Sequence, residues 1–126
     1  MRKPYYLLLL ATLFTTPLVV SQAFAHGNTE PQHGGLVKIV GEYSFEMKHS
    51  ANDVSVWVFY DGEPLEASEL GLNLKIKGKD RKELIAIPAA KDNLFKGEVS
   101  LHSGESVLAM LTLQDGVSKI VAKYKL

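Results

Sequence analysis

The sequence predicts an all-β fold, an antiparallel β-sandwich (Ig-like) or small barrel of about seven to eight strands, preceded by a flexible N-terminal arm. Three observations carry that expectation. Runs with a period of two recur along the chain, and Tyr43-Ser-Phe-Glu-Met-Lys-His49 is the cleanest, with Tyr43, Phe45, Met47 and His49 on one face. Turn signals separate the runs at close spacing, at Gly41-Glu42, Ser50 to Asp53, Asp61-Gly62, Gly78 to Asp80, Ser103-Gly104 and Asp115-Gly116. No long stretch carries the 3.6-residue period of an amphipathic helix.

The first 25 residues stand apart from the fold. Arg2 and Lys3 form a positive start, Tyr5 to Val20 is an apolar run, and Ser21-Gln-Ala-Phe-Ala25 ends in small residues. That is the anatomy of a secretory signal peptide over residues 1–25, cleaved after Ala25. The apolar run is short for a spanning segment of about 20 residues, and a cleavage site follows it at once. The mature chain then runs from His26 to Leu126, slightly acidic once Arg2 and Lys3 are gone. It is expected in the periplasm of a Gram-negative host, with no membrane insertion after cleavage.

Residues 26–35 read as the flexible His-bearing arm, because the segment is polar and rich in glycine. Residues 36–126 read as a single β-domain. Leu36 to Val40 is a short first strand, and Tyr43 to His49 follows across a turn. Val54 to Tyr60 is apolar on both faces, with Val54, Val56, Val58 and Tyr60 one way and Trp57 and Phe59 the other, which marks a central strand. Pro64 to Gly71 is a loop with a single helical turn at Ala67 to Leu70. Leu72, Leu74 and Ile76 alternate with Asn73, Lys75 and Lys77, and Glu83 to Ile87 pairs back until Pro88 ends it. Ala89 to Asn93 is a connection; Phe95, Gly97, Val99 and Leu101 share the face of another strand. Ser106 to Leu113 is a second central candidate, with Met110 expected in the core. Ile120, Ala122, Tyr124 and Leu126 point inward on the last strand, opposite Lys119, Lys123 and Lys125.

Composition removes several function classes. Lys and Arg balance Asp and Glu at 14 each, and no basic patch interleaved with aromatics occurs, so no nucleic-acid partner is expected. With no cysteine, disulfides, thiolate metal sites and a cysteine nucleophile are excluded. No Gly-x-Ser-x-Gly elbow, phosphate-cradling glycine loop or calcium loop is present, so an enzyme is not expected.

Chemistry concentrates in His26-Gly-Asn-Thr-Glu-Pro-Gln-His-Gly-Gly35, which holds two of the four histidines. After cleavage at Ala25, the α-amine and imidazole of His26 can chelate one ion, and His33 can fold back as a further ligand. Amine and imidazole nitrogens suit Cu(II) first, then Ni(II) and Zn(II). Met47 and His49 form a second candidate, since positions two apart on a strand share a face and a thioether beside an imidazole suits Cu(I). The candidate metal ligands are therefore His26, His33, Met47 and His49, with copper or another divalent transition metal as the cofactor. His102 is a further loop-end histidine, and Trp57 is expected to pack, or to shield Cu(I) with its ring face.

The layout of signal peptide, polar arm with Pro31-Gln-His-Gly-Gly35, apolar strand, Tyr43-Ser-Phe-Glu46 and Asp61-Gly-Glu-Pro64 resembles a group of small periplasmic proteins associated with heavy-metal efflux systems of the resistance–nodulation–division type. A similar His-Gly-Gly opening occurs in some periplasmic adaptor subunits of those pumps. The resemblance implies a periplasmic β-domain concerned with metal handling, its partners being a metal ion and a periplasmic efflux adaptor or other envelope protein. The alternative expectation is a non-catalytic protein-interaction module of an envelope assembly with no metal site.

Overall fold

The computed structural model describes residues 30–126; residues 1–25, expected as a signal peptide, and His26 lie outside them. Ten strands follow in order: β1 (Leu36–Val40), β2 (Tyr43–His49), β3 (Val54–Tyr60), β4 (Glu63–Pro64), β5 (Gly71–Lys77), β6 (Lys82–Ile87), β7 (Ala89–Lys91), β8 (Leu94–Gly97), β9 (Ser106–Thr112) and β10 (Lys119–Lys125). One short 3-10 turn, Ala67–Glu69, lies between β4 and β5. All pairings are antiparallel. One sheet has the order β1-β2-β3-β8-β7, with β4 also on β3; the other runs β10-β9-β5-β6. The two stack as a β-sandwich, and no closed barrel forms among the described residues.

The period of two decides which residues fill the space between the sheets. Phe45 pairs with Val58 and Met47 with Val56, and all four are buried. The opposing sheet supplies Leu72, Leu74, Ile76, Val107, Ala109, Leu111, Ala122 and Tyr124 to the same core. Tyr124 also ties the sheets by a directed bond, its hydroxyl donating to the Phe45 carbonyl at 3.0 Å. Burial raises the pKa of that phenol first, and the charge of Glu46 adds to the rise, so Tyr124 stays a donor at any physiological pH. β3 and β9 are interior strands of their sheets, as their two-sided apolarity predicts.

Three expectations change. The strand expected through Leu101 ends at Gly97, although Val99 and Leu101 still bury their side chains beyond it. Ala89–Lys91, expected as a connection, pairs with β8. Met110 lies across from Asn73 and Val121, on the outer face of its sheet and only half-buried, because its neighbours Ala109 and Leu111 take the inward positions.

Candidate functional site

The outward positions of β2 and β3 build the site. Glu46 pairs with Trp57 and Ser44 with Phe59, so these four side chains project from the face opposite the core. An outward glutamate on a strand is ordinarily solvated. Glu46 is instead 1% exposed. Its Oε1 accepts the Gln32 N–H at 2.8 Å, and its Oε2 accepts the N–H groups of His33 at 2.8 Å and Gly35 at 3.0 Å. Burial pushes the Glu46 carboxyl up, but the N–H bonds from Gln32, Gly35 and His33, with the nearby His33 charge, outweigh it and hold the pKa below the usual carboxylate value. Ser44 Oγ, buried on the same face, has no hydrogen-bond partner among the described residues.

Two glycines give this turn its shape. Gly34 has φ +76°, a left-handed conformation that β-carbon-bearing residues rarely adopt. A Cβ on Gly35 would lie 2.6 Å from the Met47 carbonyl oxygen, so only glycine lets the chain pass this close to β2. Successive N–H groups converging on one carboxylate form a small anion-binding concavity, filled here by the protein's own Glu46. The stretch expected as a free arm is thus tied to the sheet over Gln32 to Gly35.

Tying the backbone places the His33 side chain. Its ring stacks on Trp57 with centroids 3.9 Å apart and 5° between the planes. Stacking covers one face of the imidazole, and the His33 side chain otherwise stays exposed, its nitrogen lone pair and N–H lying in the ring plane. His33 is therefore a pre-positioned imidazole with an indole as its platform.

The remaining sequence candidates do not join it. His26 lies outside the described residues. Met47 is 1% exposed and packed in the core, because strand alternation turns Phe45 and Met47 toward the second sheet; its thioether is closed off from an aqueous ion. His49 is exposed at the end of β2 and makes no pair with Met47 for an ion to bridge. His102 is exposed in the loop before β9, its N–H donated to Glu105 at 2.5 Å. Among the described residues no three His, Cys, Asp or Glu side chains are grouped to hold one metal ion.

Glu46 was invisible as a site residue because alternation labels it simply as outward. The one available signal was its place in the Tyr43-Ser-Phe-Glu46 stretch: that stretch and Pro31-Gln-His-Gly-Gly35 are hydrogen-bonded partners.

No family model and no curated protein matches the chain. Among solved structures it is similar to the Br derivative of BhCBM56, with a TM-score of 0.45 and 12% identity over 71% of this chain and 98% of that one. That likeness is too distant to bear on function.

Proposed function

We propose that this chain is a periplasmic metal-handling accessory protein, linked to efflux of copper or another divalent cation, in which His33 and His26 take one ion. The observation that supports this reading is the His33 ring, held flat on Trp57 by a backbone that Glu46 fixes. A fixed imidazole loses less rotational freedom on ligation than one on a free peptide. The arm upstream of it carries His26, which gains an α-amine if cleavage falls after Ala25. The folded body's role is to present the arm to an efflux adaptor or another envelope protein, without catalysis of its own.

The test uses the chain beginning at His26. Trp57 is the only tryptophan, so its emission reports on an ion at His33 directly. Titration with Cu(II), Ni(II) and Zn(II) is expected to give saturable one-to-one binding, with Cu(II) quenching Trp57. His33→Phe keeps a ring on the indole but removes the nitrogen ligand, and is expected to weaken binding at least about tenfold, a loss of roughly 1.4 kcal/mol. Binding no tighter than that of the isolated 26–35 peptide overturns the proposal.

A second reading, an interaction module with no metal, is favoured by one observation. Edge strand β1 exposes Leu36 and Ile39, at 50% and 41%, beside a backbone edge that pairs with no further strand among the described residues. Under this reading a partner is retained from periplasmic extract in chelator, and after His26 and His33 are both changed to alanine.

A further inference from the structure

A second concave surface lies at the end of the sandwich where the β1–β2, β3–β4 and β9–β10 turns meet the 3-10 turn. It offers about 380 Å³ of room, within the range of small-molecule sites. Its apolar floor is Leu65, Leu70 and Leu113, each half-buried. One wall is an edge-to-face pair, Tyr43 and Tyr60, with ring centroids 4.9 Å apart. The Tyr60 hydroxyl donates to Glu42 at 2.5 Å, which holds that ring in place. The rim carries Glu66, Glu69 and Asp115, and among the described residues no Lys, Arg or His lines the cleft.

The carboxylates are positioned rather than free. Glu69 accepts a hydrogen bond from the Gln114 amide, which joins the 3-10 turn to the β9–β10 turn across the cleft. Asp115 accepts the N–H groups of Val117 at 2.9 Å and Ser118 at 2.8 Å, and the Ser118 hydroxyl as well. The Ser118 hydroxyl, and then those N–H groups, lower the Asp115 pKa. These neutral donors orient the negative charges without cancelling them. Nor do the carboxylates converge on a point, since no three of them are grouped to hold one bare metal ion. A diffuse ring of negative charge over leucines and tyrosine faces matches a diffuse positive charge on an apolar body.

We propose that this cleft is a binding site for an organic cation, an ammonium group carried on a short apolar or aromatic body. The leucine floor takes the apolar part. Tyr43 and Tyr60 offer ring faces and edges to the cation and its body, and Glu66, Glu69 and Asp115 supply the counter-charge. The site is independent of the His33 region, which lies on the outer face of the β1-β2-β3 sheet, and it stands whether or not the chain handles metal.

The test is titration of the mature chain with phenethylammonium and with phenethyl alcohol as its uncharged counterpart, followed residue by residue through amide chemical shifts. Saturable shifts are expected at Tyr43, Tyr60, Leu70 and Leu113, with the ammonium binding at least about tenfold tighter than the alcohol at low salt and losing that advantage as salt rises. The double variant Glu66→Gln/Glu69→Gln places isosteric amides on an exposed rim, so it leaves the fold intact, and it is expected to erase most of the difference between the two probes. Equal binding of alcohol and ammonium overturns the proposal, as does the absence of saturable shifts in the millimolar range. Shifts that fall outside the cleft overturn it too. An unchanged preference for the ammonium in the double variant overturns the role of the rim.

Discussion

Replacing Glu46 with glutamine tests the arm anchor with the least disturbance to shape. The wild-type carboxylate accepts three N–H bonds, from Gln32, His33 and Gly35, between 2.8 and 3.0 Å. Hydrogen bonds to a charged acceptor contribute about 1.5–3 kcal/mol each, against about 0.5–1.5 kcal/mol for a neutral one. The amide keeps one acceptor oxygen and turns an NH₂ toward at least one backbone donor. Because the arm can swing into water and rehydrate, the full penalty of buried unmet donors is not reached, and the net loss is about 2–3 kcal/mol of docking free energy. That raises the undocked population roughly 30- to 150-fold. Amide hydrogen exchange at Gln32, His33 and Gly35 is expected to accelerate by that factor, while amides of β5 and β9 keep their protection, because the opening is local. Trp57 emission is expected to shift as the imidazole leaves its face. Unchanged exchange at the three arm amides would refute the reasoning, since the bonds would then contribute nothing to docking.

The same bonds predict an acid transition. Because the folded Glu46 pKa is lowered, the arm's anchoring is fully present above the ordinary glutamate value of about 4.3 and is lost only as pH falls through the lower folded value. Trp57 emission followed down in pH is expected to show a step below the ordinary glutamate range in the wild type and none in Glu46→Gln. Gly35→Ala sets a Cβ 2.6 Å from the Met47 carbonyl oxygen, backbone that cannot move aside. It is expected to release the arm at a cost of about 1–3 kcal/mol, read as faster exchange at Gln32 and His33 with only a small change in melting temperature. In the β5–β6 turn, Arg81 donates to the Ser100 carbonyl at 2.6 Å and pairs with Glu105 and Glu83 at 3.1 Å each. Arg81→Met leaves Glu105, itself 6% exposed, without its cation. A loss of about 2 kcal/mol is expected, lowering the melting temperature by roughly 8–16 °C for a domain of this size.

Most of the β-body was legible because each core strand repeats a local rule. Phe45, Met47, Val56 and Val58 point inward for the same reason that Ser44, Glu46 and Trp57 point outward, and a period of two is enough to sort them. The rule fails where the answer depends on a neighbour distant in sequence. Met110 follows the same alternation, yet a methionine flanked by apolar residues gives no sign of which parity faces the second sheet. Val99 and Leu101 keep the alternation of a strand after their segment has lost its pairing partner at Gly97. Glu46 is the sharpest case. Alternation assigns it to the outer face, which is right, and so to water, which is wrong, because the segment that covers it comes from 11 to 14 residues upstream.

That covering segment changes what Pro31-Gln-His-Gly-Gly35 encodes. Gln32 contributes only a backbone N–H to the anchor. Gly34 is needed for its backbone angle and Gly35 for its lack of a side chain. Most of this would work with almost any residue at position 33, because the bonded group is its backbone N–H and the imidazole adds only its charge near Glu46. The anchor therefore accounts fully for the glycines and only in small part for the histidine. What remains for the ring is its contact with Trp57, and a phenylalanine or tyrosine would stack there with more apolar area and without the hydration that an imidazole nitrogen retains. Where a purely structural ring would be better served by another residue, the nitrogen is the property that distinguishes histidine. The ligand role proposed for His33 uses that nitrogen, whereas Met47, sealed in the core, drops out of it.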